Sequence, residues 1–237
     1  PVVFSDPTLE GLWRPQNDSK QFYGPTRLRI GITKSRNLVS IRLLQAIGLK
    51  NVIPTIERFG FDANRIPHGL SLALGTLSTS PMELAEGYAI FANGGHRVHA
   101  HFIHHIEDPQ GRILYTAEAP TVCTNCNQAG RPSYAQVTPA ARVLSAQDAY
   151  IMTHILQDAI QTGTGKQARR LNRKNIAGKT GTTNDPVDAW YSGYTPDLVV
   201  TTWMGFDEPR SLREYSVQTA LPLWIDFMSA ALKGVPD

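Results

Sequence analysis

The sequence predicts an α/β (α+β) fold, an antiparallel sheet flanked by helices with a helical subdomain beside it. Three observations carry this expectation. Asn175 to Asn184 and Asp188 to Tyr194 read as two strands, and the polar turn Asn184-Asp185-Pro186 returns the chain antiparallel. Leu198 to Phe206 is apolar on nearly both faces, the pattern of an interior strand covered on both sides. Between Thr26 and Phe91, apolar residues recur at helical spacing.

Residues 1–23 have mixed polarity and several turn formers, and read as irregular approach structure. The helical pattern runs from Thr26 to Lys34 and breaks at Ser35-Arg36-Asn37. It resumes with Leu38, Ile41, Leu44 and Ile47 until Gly48 stops it. Ser35 and Asn37 thus stand at a helix start, where N-capping or projection into a cleft would each account for them. A short helix over Val52–Phe59 ends at Gly60. Ser80-Pro81-Met82-Glu83 forms a capping box with Pro at N1, and Asn93-Gly94-Gly95 terminates the helix it opens.

The segment His96 to His105 holds five of the seven histidines. It reads as a half-exposed strand rather than a metal site, because no acidic or thiol ligands lie nearby in sequence. Asp108-Pro109-Gln110-Gly111 makes a hairpin turn between Phe102–Ile106 and Arg112–Tyr115. Ala117 to Thr138 reads as an exposed loop around Cys123-Thr-Asn-Cys126, which is half a zinc site at most. In an oxidising compartment that pair would close a disulfide, and in a reducing one it would stay as thiols. Ser145 caps a helix striped by Met152, Ile155, Leu156 and Ala159, and Thr162-Gly163-Thr164-Gly165 ends it as a flexible joint. A final helix over Leu221–Leu232 covers one face of the sheet.

At 237 residues the chain fits one large domain, or one with appendages. A composition of 41% hydrophobic and 18% charged residues is that of a soluble globular chain, and no apolar run is long enough to cross a bilayer. The net charge of +3 is too mild, and too dispersed, to point to nucleic acid. Lys166, Arg169, Arg170, Arg173 and Lys174 form the only basic cluster, which a solvated helix end or loop explains. No cofactor or metal is expected.

The chemistry concentrates at Lys179-Thr180-Gly181-Thr182-Thr183. Lys179 supplies fixed positive charge, Thr180 and Thr182 supply hydroxyl donors, and Gly178 and Gly181 let another backbone lie close. Such a strand edge suits an extended peptide ending in a carboxylate. Period-two alternation puts Lys179 and Thr180 on opposite faces, so they can share a site only if the strand is an edge.

Together these pieces resemble the transpeptidase domain of class A (bifunctional) penicillin-binding proteins of the 1a type. Serine acyl-transferases of that kind carry S-x-x-K, S-x-N and K-T-G signatures. Ser35-Arg36-Asn37 matches the second and Lys179-Thr180-Gly181 the third. The extended run Lys179 to Asn184, followed by Asp188 to Tyr194 and Trp203 to Asp207, is far more specific than K-T-G alone. So is Leu72 to Gly75 with Ser80-Pro81 and Phe91 to Gly95. The likeness runs from about Tyr23 to the C-terminus and is weakest over Ala117 to Thr138. It implies a single transpeptidase domain portion over 1–237: a helical part at about 24–95, a hairpin and loop insert at about 96–140, and the sheet with its helices at about 145–233. The fold would be β-lactamase/transpeptidase-like.

One departure stands out, for no S-x-x-K occurs anywhere in the chain. The resemblance implies that the nucleophilic serine and the first two strands of the sheet lie upstream, in the same protein. Those strands would pair beside Leu198–Phe206, and an unpaired, solvated edge there would count against this expectation. The family's reaction attacks the last peptide bond of a peptidoglycan stem ending in D-alanyl-D-alanine and passes the acyl group to a neighbouring amine. By motif match, Ser35 would relay a proton to the leaving amine, Asn37 would hold the acyl side's amide, and Lys179 would favour the substrate carboxylate and polarise Ser35. Thr180 and Thr182 hydroxyls would bind that carboxylate, the Thr182 N–H would form half of the oxyanion hole, and Gly181 and Thr183 would complete the substrate edge. The implied partners are stem peptides, β-lactams, the upstream segment and cell-wall synthesis proteins. The implied place is the periplasmic face of the bacterial inner membrane, with an anchor and a glycosyltransferase domain elsewhere in the protein. A non-catalytic penicillin-binding sensor, or a β-lactamase or carboxypeptidase on the same scaffold, are the alternative readings.

Overall fold

A computed structural model of the chain describes residues 4–5, 12–122 and 138–237; Cys123 and Cys126 lie outside the described residues. β1 (Phe4–Ser5) pairs antiparallel with β2 (Leu12–Trp13). Two helices, α1 (Leu28–Thr33) and α2 (Asn37–Ile47), then meet at a corner. Gly48, at φ 82°, ends α2 and leads directly into α3 (Leu49–Arg58), which starts three residues before the expected Val52. Short 3-10 turns at Ala63–Arg65 and Leu70–Leu74 follow. Leu44, Ile66 and Leu72 gather Val52, Ile53 and Ile56 into the core of this helical part.

Helix α4 (Pro81–Ala92) begins as the sequence predicts. Glu83 N–H donates to Ser80 Oγ at 3.2 Å, and Ser80 N–H donates back to the Glu83 carboxylate at 2.8 Å. The next segment corrects an expectation. Only β3 (His105–Glu107) is strand, pairing with β4 (Ile113–Thr116), and residues 97–104 are not. Extended backbone is stable only where a ladder partner satisfies it, and this hairpin extends no further. Asp108 sets its turn, accepting from the N–H groups of Gln110 (3.0 Å) and Arg112 (2.8 Å). Among the described residues no group of three His, Cys, Asp or Glu is placed to hold a metal.

The main sheet comes last. Helix α5 (Ala146–Gln161), capped by Ser145, leads through a 3-10 turn at Lys166–Leu171 into β5 (Ala177–Thr182), β6 (Ala189–Tyr194) and β7 (Val199–Met204). Helix α6 (Ala220–Ala231) closes the chain. The strands are antiparallel in the order β5-β6-β7, with Lys179 opposite Ser192 and Thr180 opposite Tyr191. Trp224, Leu221 and Met228 of α6 pack with Tyr191 and Ile176 on one face. Leu156 of α5, with Tyr88 and Phe91 of α4, packs against Ala177 and Tyr194 on the other. This α+β layering is the predicted fold class.

Two further expectations change. β7 is not an interior strand among the described residues: it ends the sheet, its outer edge pairs with no described strand, and Trp203 and Met204 are exposed. An unpaired edge here is the arrangement named above as counting against upstream strands beside Leu198–Phe206. The expected cover on both faces is there, from α4 and α6; what differs is the place in the sheet, since the outer edge is unpaired among the described residues. Nor is Thr162 to Gly165 a flexible joint. Thr162 N–H and Gly163 N–H both donate to Asp158 O (2.8 and 3.1 Å), Gly165 N–H donates to Ala159 O (2.9 Å), and Lys34 Nζ donates to Thr162 O. No helix is long and apolar enough to cross a membrane among the described residues.

Candidate active site

The corner between α1 and α2 is built to present one hydroxyl. Ser35 is exposed and has φ 53°, a left-handed conformation that costs a residue with a Cβ about 1–2 kcal/mol. Backbone hydrogen bonds hold it there: Ser35 N–H donates to Ile32 O at 3.0 Å and Arg36 N–H to Gly31 O at 2.8 Å. Gly31 allows the close crossing, for a Cβ on it would meet Val39 Cγ1 at 2.6 Å. Neither Ser35 nor Asn37 caps a helix. The N-cap of α2 is Arg36, without a side-chain cap bond, and Leu38 N–H is instead satisfied by Asn17 Oδ1 at 3.2 Å. Asn37 Nδ2 donates to Gln16 O at 3.0 Å, which fixes the carboxamide beside Ser35.

Strand β5 supplies the facing wall. Lys179 Nζ donates to Ser35 Oγ at 3.0 Å and to Thr180 O at 3.0 Å, and lies 3.4 Å from Thr180 Oγ1. The two residues reach one site although they alternate along the strand, because β5 is the edge of the sheet and its side chains lean around the rim. Burial without a counter-ion draws the Lys179 ammonium down to about 8. Gly178 keeps β5 against β6, for a Cβ there would meet the Tyr191 hydroxyl at 2.6 Å; one on Gly181 would meet Trp190 Cβ at 3.3 Å.

The threonines divide their work. Thr180 Oγ1 lies 2.6 Å from Thr164 Oγ1. The Thr182 hydroxyl donates to Ser216 Oγ at 2.9 Å and accepts from Ser216 N–H at 3.3 Å. Thr183 is turned to structure: its Oγ1 accepts from Val187 N–H (3.1 Å) and Asp188 N–H (2.8 Å) and so ties the turn between β5 and β6.

One cleft of about 920 Å³ is walled by residues 13–20, 34–37, 182–186 and 215–217 with Thr164 and Thr180, so Ser35, Asn37, Thr180, Thr182 and Thr183 line it while Lys179 and Gly181 stand behind its wall. Tyr215 donates to Asp18 Oδ1 at 3.3 Å and joins two of the walls. Arg14, Lys20, Lys34 and Arg36 against Asp18 and Asp185 give the lining a positive excess that suits an anionic ligand. Sequence reasoning missed the wall at residues 13–20, with the buried Asn17 at its base, and also Thr164 and Ser216. Their only signal was turn-former composition, which says nothing about where a segment folds.

Over residues 4–220 the chain matches the family model of the penicillin-binding protein transpeptidase domain. It is 44% identical to penicillin-binding protein 1A of Pseudomonas aeruginosa, an alignment that takes in all of this chain and 33% of that protein. Identity to the Neisseria flavescens penicillin-binding protein 1A is 42%, over 94% of this chain and 26% of that one. The crystal structure of penicillin-binding protein 1A from Haemophilus influenzae aligns with a TM-score of 0.90 at 33% identity, over the whole of this chain and 38% of that one. PonA1 from Mycobacterium tuberculosis, at 22% identity and TM-score 0.75, shares the fold over 98% of this chain and 62% of that one. The chain spans about a third or less of the curated relatives it matches.

Proposed function

The chain belongs to the penicillin-binding protein transpeptidase family, on its class A, 1a-type branch; from that premise we propose that it supplies the S-x-N and K-T-G walls of a D,D-transpeptidase site whose nucleophilic serine lies outside these residues. The observation that carries the reading is the 3.0 Å hydrogen bond from Lys179 Nζ to Ser35 Oγ, which joins residues 144 positions apart behind a cleft that Ser35 and Thr180 line.

The chemistry follows from proton counting. Lys179 can only donate, so Ser35 accepts from it and turns its own proton toward the cleft, where the leaving amine of D-alanine would sit. Ser35 gives up that proton as the amine departs and takes another from the attacking serine through the S-x-x-K lysine. The cationic Lys179 and the Thr180 hydroxyl hold the terminal carboxylate, the Thr182 hydroxyl joins them on turning its one proton from Ser216 Oγ to the ligand, and Asn37 holds the acyl-side amide. Gly181 lets the peptide lie close along β5, and the Thr182 N–H is half of the oxyanion hole. Thr183 shapes the substrate edge by fixing its turn. β-Lactams would acylate the same serine. Although β7 is unpaired among the described residues, its exposed Trp203 and Met204 beside open backbone groups are what a further strand would cover, so we place the upstream strands there, and this chain on its own would then be inactive. The periplasmic face of the inner membrane, a glycosyltransferase domain in the same protein and contacts with other cell-wall synthesis proteins belong to the same proposal.

Labelling with fluorescent penicillin tests it, using this chain beside the full-length protein. Covalent label on the full-length protein alone is the expected result. Label on this chain alone would refute an outside nucleophile, and no label on either would favour a non-catalytic module.

A further inference from the structure

Thr164 belongs to none of the motifs above, yet it stands against the strand that carries one of them. Its hydroxyl lies 2.6 Å from that of Thr180, and it lines the cleft. The backbone presenting it is pinned by the hydrogen bonds from Gly163 and Gly165 to α5 and by Lys34 on Thr162 O. A Cβ on Gly163 would come to 2.2 Å from Thr33 O, and one on Gly165 to 3.1 Å from the Tyr191 hydroxyl. The two glycines therefore let the segment lie in contact with α1 and the sheet, and Thr164 is delivered to a fixed place.

Counting protons gives that place a use. Lys179 Nζ, 3.4 Å from Thr180 Oγ1, has no lone pair to accept with, so Thr180 cannot aim its proton there. Two directions remain for that proton: Thr164 Oγ1 or the cleft. At 2.6 Å the two threonine oxygens have room for one proton between them. When Thr164 provides it, Thr180 is an acceptor on that side and its own proton is left facing the cleft.

We propose that Thr164 is a positioning residue, donating its hydroxyl proton to Thr180 Oγ1 so that Thr180 directs its own proton at the substrate carboxylate. This rests on the transpeptidase reading and deepens it. An anion in the cleft favours the arrangement, because the charge-assisted bond from Thr180 is the stronger of the two alternatives. The effect must depend on the carboxylate, which separates it from a merely structural one.

The experiment compares acylation rates of the full-length protein by benzylpenicillin and by its methyl ester, in wild type, Thr164→Val and Thr164→Ser. Thr164→Val removes the donor that holds Thr180 Oγ1 in place and sets a methyl group where a 2.6 Å contact stood, so the Thr180 hydroxyl turns away from the carboxylate. The rate with the free acid is expected to fall about 10-fold and the ester's by less than about 2-fold, while Thr164→Ser keeps both near wild type. Equal losses on acid and ester overturn the proposal, as does an unchanged acid rate or a 10-fold loss in Thr164→Ser. Thr164→Ala, read in the same way, replaces valine should that variant not fold. A wild type that neither compound labels sinks the transpeptidase reading and this inference together.

Discussion

Lys179 is where charge, burial and reach meet. Its ammonium is desolvated without a carboxylate partner and has a pKa near 8 rather than 10.5. It remains largely charged near neutrality and loses its proton just above it. If the cation is what serves acylation, the rate of penicillin labelling in the full-length protein falls as pH rises through about 8. Lys179→Arg, which keeps its charge, abolishes that limb whatever its absolute rate. Lys179→Ala slows labelling by about 100-fold or more, in line with the loss of a fixed stabilising charge; an unchanged rate would remove Lys179 from the mechanism. The same shift acts on stability. Between about 8 and 10.5 the unfolded chain holds a proton that the native lysine has released, so stability rises with pH across that window. Urea titrations at both ends of it should show the slope, and Lys179→Met should flatten it.

At the scale of elements, close approach decides which strands and helices can meet. Gly193 of β6 lies under Trp224 of α6, and a Cβ there would sit 2.6 Å from Trp224 Cζ2 and 3.0 Å from Ala177 O. Gly193→Ala must lift the helix or spread β5 from β6, at a cost of about 1–3 kcal/mol in denaturant midpoint measurements. Helix α4 depends on its first turn instead. Glu83 is held down to about 2 chiefly by its hydrogen bond with Arg65, then by Ser80 N–H. Ser80→Ala is expected to cost about 1 kcal/mol. Because Glu83 is depressed from 4.5, its stabilising contribution is complete above that value and drains away as pH falls toward about 2. Glu83→Gln should be the less acid-sensitive protein.

At the scale of the whole molecule, the sheet is guarded on its faces and, among the described residues, open at β7. Exposed Trp203 and Met204 beside a bare strand edge make a template for another strand. If upstream strands add there, amide exchange in β7 is fast in this chain and slowed by about 100-fold or more in the full-length protein. Equal exchange in the two would place the rest of the sheet elsewhere. The opposite edge, β5, pairs with no further strand among the described residues, and it is the edge along which the proposed substrate would lie.

Local chemistry wrote much of this structure into the sequence. The Ser80 capping box, the hairpin of β5 and β6, the stop at Gly48 and the polar edge from Lys179 to Thr182 are each set by residues within a few positions of one another. What spacing along a chain cannot encode is which distant segments share a wall. Capping was a sound reading of Ser35 until its left-handed backbone turned the hydroxyl toward Lys179. Asn17, Thr164 and Ser216 entered the site through contacts 16 to 34 residues long, invisible to any local pattern. The sequence by itself determined the fold class and the chemical types at the site; only tertiary packing decided that a corner of two helices and the rim of a sheet close on one cleft, because bringing those groups together depends on burying the faces behind them.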